Sequence, residues 1–219
     1  MEYKILDSNL SDLYKISLCQ KKAFPKSLFT ALGNKYLMKM FEWYVTSEHT
    51  ILIHIEENGA CIGYCGGMIN DGNLKMGSIS TILQYTFKEA IIGVISKPWI
   101  IFHTALKNSY PVIFKNIKMK LGFNKKSAIS HKNNNGKEYP QFGLIVIGVD
   151  GKYQGKGIGT QLLNKIELIS KEKGIKSMYL SVFANNHQAI HTYEKNGWVK
   201  IIDAHNTQSI KMNKSLINP

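Results

Sequence analysis

Three glycines at alternate positions, Gly155, Gly157 and Gly159, lie in the run Gln154-Gly-Lys156-Gly-Ile158-Gly. An apolar stretch, Phe142 to Val149, comes before this run, and a helical pattern beginning at Thr160 follows it. A strand that feeds such a turn and then a helix builds an anion site. The first amides of a helix have no partner within it, and the aligned peptide dipoles make that end partly positive. Glycines let the backbone come close to the anion, Gln154 can donate from its amide, and Lys156 adds a charge that persists at neutral pH. The loop suits a diphosphate.

Spacing then narrows the ligand. A dinucleotide fingerprint counted from Gly155 puts Thr160 where its third glycine should stand, and the acid expected about twenty residues later is missing. A phosphate loop of the Walker type needs Gly-Lys-Ser/Thr, whereas here Lys156 precedes Gly157.

The elements around the loop carry more information. Ile158, Leu162, Leu163, Ile166 and Ile169 recur at helical spacing, Glu167 stands four residues before Lys171, and Gly174 is placed for a left-handed C-terminal cap. Ser177 to Phe183 alternates as a strand with Met178, Leu180 and Val182 on one side. Asn185-Asn186 can then cap a second helix. The order is strand, phosphate loop, helix, strand, helix.

Within that order, Gln154-x-x-Gly157-x-Gly159 resembles the Q/R-x-x-G-x-G/A motif of the GNAT superfamily, the acyl-CoA-dependent N-acetyltransferases. Asn186, Ala189, Tyr193, Gly197 and Trp198 resemble the N-x-x-A-x-x-x-Y-x-x-x-G-F pattern of the same family, with Trp198 in place of the usual phenylalanine. Together the two motifs cover about the last third of the chain.

The resemblance implies an α/β fold, a mixed central sheet flanked by helices, and acetyl-CoA as co-substrate. It implies that Gln154, Gly155, Lys156, Gly157, Ile158, Gly159 and Thr160 hold the pyrophosphate, with Asn186 also on the coenzyme. The pantetheine arm is expected to pair with backbone groups of Ile147 and Val149, where the strand ending at Val149 splays from the strand near Leu180. An acceptor amine or hydroxyl would attack the thioester directly, and Tyr193 would give a proton to the departing thiolate. A core tyrosine is the alternative, since Ala189, Ile190 and Tyr193 share one helical face.

No base stands out. Phe142 to Val149 offers none, Asp150 reads as a turn or cap residue, His187 and His191 read as surface residues, and His131 lies in a polar loop. No metal is expected, because the histidines and cysteines show no paired ligand spacing; Cys61 and Cys65 read as sharing one packed strand face. A nucleophile elbow, G-x-S-x-G, is absent.

The 219 residues, 44% hydrophobic, suit one α/β domain spanning 1–219. Three cysteines make no disulfide framework and the N-terminus shows no signal segment, so a cytoplasmic location is expected. All 28 basic residues are lysines, in a chain of net charge +13. Without arginine forks for phosphates and guanine edges, nucleic acid is not the expected partner, although the basic surface will attract anions such as CoA.

Towards the N-terminus, Tyr3 to Leu6 reads as a strand, Ser8 or Asn9 as the cap of a helix reaching Ala23, and Thr30 to Thr46 as a second helix. Glu57-Asn58-Gly59-Ala60 signals a hairpin between Ile51–Glu56 and Cys61–Ile69. Phe24, Ser27, Phe29 and Thr30 are candidate acceptor contacts by resemblance, and a turn and helix start by local chemistry, which is the preferred reading. The Ala23–Gly33 segment resembles GNAT-like proteins of sugar pathways, which suggests a small-molecule acceptor such as an amino sugar.

Residues 70–140 read as a basic helical insertion between the third and fourth strands, with eleven lysines against Asp71, Glu89 and Glu138. Helical stretches are expected around Ile79 to Ile95, Pro98 to Lys107 and Pro111 to Leu121, followed by a polar loop from His131 to Glu138. Ala90 to Phe102 is too short and too interrupted to cross a bilayer. A lid over the acceptor is preferred to a peripheral membrane contact. A longer acyl chain housed by the insertion, and a non-catalytic module binding CoA or polyanions, are the alternatives. Oligomeric state is left open.

Overall fold

Asn9 begins the first helical segment with a capping box: its side chain accepts from the Ser11 amide at 2.8 Å, and Asp12 returns a bond to the Asn9 amide at 2.9 Å. A 3-10 turn, Leu10–Asp12, then leads into α1 (Leu13–Ala23), which buries Leu13, Ile16, Ser17 and Gln20 at helical spacing. The expected helix from Thr30 to Thr46 is in fact two, α2 (Leu28–Leu32) and α3 (Asn34–Thr46). The break falls at Gly33, whose φ of 101° no helix contains. The computed structural model describes residues 3–70, 79–103, 140–201 and 208–217.

The described strands form one sheet in the order β1 (Lys4–Asp7), β2 (Thr50–Glu57), β3 (Ala60–Asn70), β4 (Gln141–Val149), β5 (Ser177–Phe183), β7 (Ser209–Ser215), β6 (Val199–Ile201). All neighbours are antiparallel except β4 and β5. Asn58 and Gly59, both at positive φ, make the expected hairpin turn between β2 and β3.

Each face of the sheet carries its own core. On one face α6 (Ile158–Glu172) and α7 (His187–Lys195) cover Ile53, Ile55, Cys65, Phe142, Met178 and Leu180; on the other, α1 and α3 cover Leu52, Cys61, Tyr64 and Met68. Cys61 and Cys65 therefore lie on opposite faces, contrary to the alternation read from the sequence. Glu56 pairs with Cys61 but Ile55 pairs with Gly63, so Ile62 is an extra residue that shifts the alternation by one.

Part of the 70–140 segment is described: α4 (Ile79–Tyr85), α5 (Phe87–Ser96) and a 3-10 turn, Pro98–Phe102. It is fastened to the α1–α2 region. Lys97 Nζ donates to the Ala31 carbonyl at 2.8 Å, and His103 Nε2 lies 3.1 Å from the Lys26 carbonyl. A Cβ on Gly93 would stand 2.9 Å from the Leu32 carbonyl oxygen, so only glycine permits this approach of α5 to α2. The stretch from Pro111 to Leu121, the loop from His131 to Glu138 and the end of the Pro98–Lys107 stretch lie outside the described residues. Among the described residues no helix is long and apolar enough to cross a membrane.

Candidate acyl-CoA site

The sheet forks where the motifs converge. The parallel ladder between β4 and β5 runs from Gln141↔Ser177 to Leu144↔Leu180 and stops there, while β3 follows β4 to Val149 and β7 follows β5 to Phe183. The cause is local. Gly67 faces Leu144 and Gly66 faces Val146, which leaves Ile145 as a bulge residue that bends and twists β4 at the last shared rung. Beyond it, the edge of β4 from Ile145 to Val149 has no strand partner on the β5 side among the described residues. Ile147 and Val149 lie on this free edge.

At the mouth of the fork, Asp150 is buried, accepts from the Lys152 amide at 3.1 Å and meets Lys22 Nζ at 3.2 Å. The turn then passes through Gly155 at φ 74° and Gly157 at φ 79°, conformations that a side chain would strain. Gly157 is the N-cap of α6 and offers no capping side chain; α6 also has no acid in its first turn. Ile158, Gly159 and Thr160 thus present first-turn amides, and a Cβ on Gly155, Gly157 or Gly159 would touch nothing within 4 Å. The open side of the turn is an anion-sized approach to a helix N-terminus.

Four of the residues named from the sequence take more specific places. Gln154 Nε2 donates to the Val149 carbonyl at 3.2 Å, tying the loop to β4 instead of reaching into the open turn. Lys156 Nζ lies 5.0 Å from the centre of the Tyr153 ring, whose hydroxyl donates to Glu57. Thr160 Oγ1 accepts from Asn196 Nδ2 at 3.3 Å, which links the start of α6 to the end of α7. Asn186 caps α7, accepting from the Ala189 amide at 3.2 Å. Asn196 had no signal in the motifs; it is recognisable only once α6 and α7 are side by side.

Tyr193 is buried on α7, its ring centre 5.9 Å from that of Trp198. Burial pushes its phenol well above the ordinary 10.0, and Cys65 adds to the rise. Cys65 pairs with Ile147 across the β3–β4 ladder, beyond the last β4–β5 rung, and belongs to the same buried cluster as Tyr193. His187 and His191 are exposed on the same helix. Ser27 caps α2 through the Thr30 amide at 3.2 Å, in line with the turn reading, while Phe24 and Phe29 stay exposed.

The comparisons with known proteins can now be set beside this geometry. Residues 127–198, about a third of the chain, match the model of the acetyltransferase (GNAT) family. The whole fold is similar to PaiA N-acetyltransferase from Thermoplasma acidophilum in complex with coenzyme A (TM-score 0.54, 14% identity, 98% of this chain and 99% of that one). It is also similar to ribosomal-protein-S18-alanine N-acetyltransferase from Escherichia coli (TM-score 0.55, 15% identity, 100% and 96% covered). Arabidopsis thaliana NAA60 in complex with acetyl-CoA aligns likewise (TM-score 0.56, 14% identity, 98% and 98% covered). The fold is thus that of these N-acetyltransferases.

Among curated relatives, mycothiol acetyltransferase from Propionibacterium freudenreichii is 36% identical over 59 residues. That is 27% of this chain, and the match spans only 19% of the relative's length.

Away from the fork, Asp12, His54 and Glu56 bring one donor atom each within 4.8 Å of one another. A cation already sits among them. Lys15 Nζ is 2.8 Å from Asp12 and bonded to Glu56, while fully buried His54 joins Ser8 Oγ at 2.8 Å and Glu56 at 2.9 Å. The Lys15 hydrogen bond lowers the Glu56 carboxyl below its ordinary 4.5. A depressed folded value means stability that is present above pH 4.5 and lost as pH falls through that value and below. Lys15→Met is therefore expected to lower the melting temperature at pH 7 and to flatten the acid limb, as read by thermal melts from pH 7 to pH 3.

The open first turn of α6 makes its own prediction. Gly159→Asp should add a favourable charge to the helix start, raising stability by up to about 0.5 kcal/mol. The same charge should weaken acetyl-CoA by at least about tenfold through repulsion of the pyrophosphate. Calorimetry together with melting of the ligand-free variant separates the two effects.

Proposed function

We propose that this protein moves an acetyl group from acetyl-CoA to the amine of a small molecule, within a ternary complex. The observation that carries the reading is the fork past Leu144 and Leu180, with an uncapped helix start at its mouth and Tyr193 buried in the core on the α6–α7 face of the sheet. The first-turn amides of α6 suit the pyrophosphate, and the free edge of β4 suits the amides of the pantetheine arm. A backbone N–H around Ile147 or Val149 would polarise the thioester carbonyl as it becomes an oxyanion.

In the proposed step the acceptor nitrogen forms a bond to the thioester carbonyl carbon, and the carbon–sulfur bond breaks. Tyr193, which its raised phenol keeps protonated, gives a strong hydrogen bond or a proton to the leaving sulfur, and a proton given is regained from solvent. Since β4 carries no acid or base, the amine loses its proton to solvent or arrives neutral. The partial match to mycothiol acetyltransferase supports acetyl as the group transferred, and an amino sugar is our first candidate for the acceptor.

Calorimetry with acetyl-CoA tests the donor, and a radiolabelled transfer screen across amino sugars, polyamines, amino acids and peptides tests the acceptor. Stabilisation by polyanions but not by acetyl-CoA would favour a binding module instead.

A further inference from the structure

We propose that the outer side of α5 and the turn after it is a docking surface for an anionic lipid membrane. A lid would turn its apolar residues inward, and this segment does the reverse. Gly93 and Ile100 are buried towards α2, whereas Ile91, Ile95, Trp99 and Phe102, at steps of four, four and three, are exposed together with Ile92. Ile95, Trp99 and Phe102 are 72%, 67% and 73% exposed. Such contiguous apolar exposure marks an interaction site.

Charge selects the occupant. Between residues 79 and 103 the charged side chains are Lys88, Glu89 and Lys97, and exposed Lys26 stands on the adjoining α1–α2 turn. A second copy would bring a net charge of +13 against +13, which opposes self-association; an anionic bilayer surface attracts the same charge. Trp99 adds an amphipathic ring of the type that settles at the headgroup level, and α5 is far too short to span. Because α5 is clamped to α2 by Gly93 and Lys97, docking would hold the α1–α2 turn, with exposed Phe24 and Phe29, next to the bilayer.

The test uses the full chain with vesicles of phosphatidylcholine, alone or mixed with phosphatidylglycerol. Trp43 and Trp198 are buried, so Trp99 reports contact directly through its fluorescence. The surface predicts co-sedimentation with the anionic vesicles at least about tenfold stronger than with phosphatidylcholine, weakened by salt, with a blue shift of emission. The double variant I95Q/F102Q should lose about tenfold in vesicle binding while keeping its thermal shift with acetyl-CoA.

Absence of sedimentation with anionic vesicles in low salt, or binding undiminished in the double variant, overturns the proposal. So does a concentration-dependent dimer that the double variant dissolves. The proposal does not depend on acyl transfer: vesicle binding without acetyl-CoA binding would leave it standing and remove the enzyme reading.

Discussion

Tyr193→Phe is expected to lower kcat by about 100-fold or more, the usual contribution of a positioned acid, while acetyl-CoA affinity stays within about twofold. The split follows from position. In the proposed step the phenol meets the sulfur only as it departs, whereas the proposed pyrophosphate contacts lie at the mouth of the fork. The ring itself, packed on Trp198, remains in the variant, so the fold should keep its melting temperature.

The pH dependence is a second readout of the same residue. Because burial raises the phenol above 10.0, the wild-type rate should not decline through loss of this proton as pH rises to 10. It should instead climb as the acceptor amine becomes neutral. Unchanged kcat in the Phe variant would return Tyr193 to the role of a core residue.

Gly67→Ala is expected to destabilise the protein by about 3 kcal/mol, at the upper end for overpacking. An added Cβ would lie 2.2 Å from the Gly143 carbonyl oxygen and 2.4 Å from the Phe142 ring, and a backbone atom cannot step aside as a flexible side chain can. For a domain of this length the melting temperature should drop by roughly 10 °C. The collision sits at the β3–β4 bulge, so acetyl-CoA binding should weaken beyond what the stability loss alone produces. Gly159→Ala is the control for stability alone, since its Cβ would meet nothing within 4 Å and its backbone is helical. Equal melting temperatures for the Gly67 variant and wild type would show that the rung is not under this constraint.

Much of the molecule is readable from local chemistry. The turn of Asn58 and Gly59, the caps at Asn9 and Asn186, the glycine at φ 71° after α6 and the buried sides of α6 and β5 all depend on residues within one or two turns of chain. Such features are set by backbone sterics and by hydrogen bonds between near neighbours, so sequence spacing suffices to locate them. The glycine turn before α6 belongs to this class. Its glycines, its uncapped helix start and the absence of an acid from the first turn of α6 are all local properties.

Features that depend on pairing between distant segments were decided only by the tertiary structure. Ile62 and Ile145 are ordinary strand residues in sequence, and each becomes a bulge because its partner strand lacks a residue to match it. The first places Cys61 and Cys65 on opposite faces; the second opens the fork on which the proposed chemistry depends. The same holds for Asn196 meeting Thr160, for Gln154 turning to the Val149 carbonyl, and for the exposed side of α5, whose orientation is fixed by how closely Gly93 lets it approach Leu32. A strand's period of two tells which residues alternate, but which way they point, and where the ladder ends, is settled by the neighbour across the sheet.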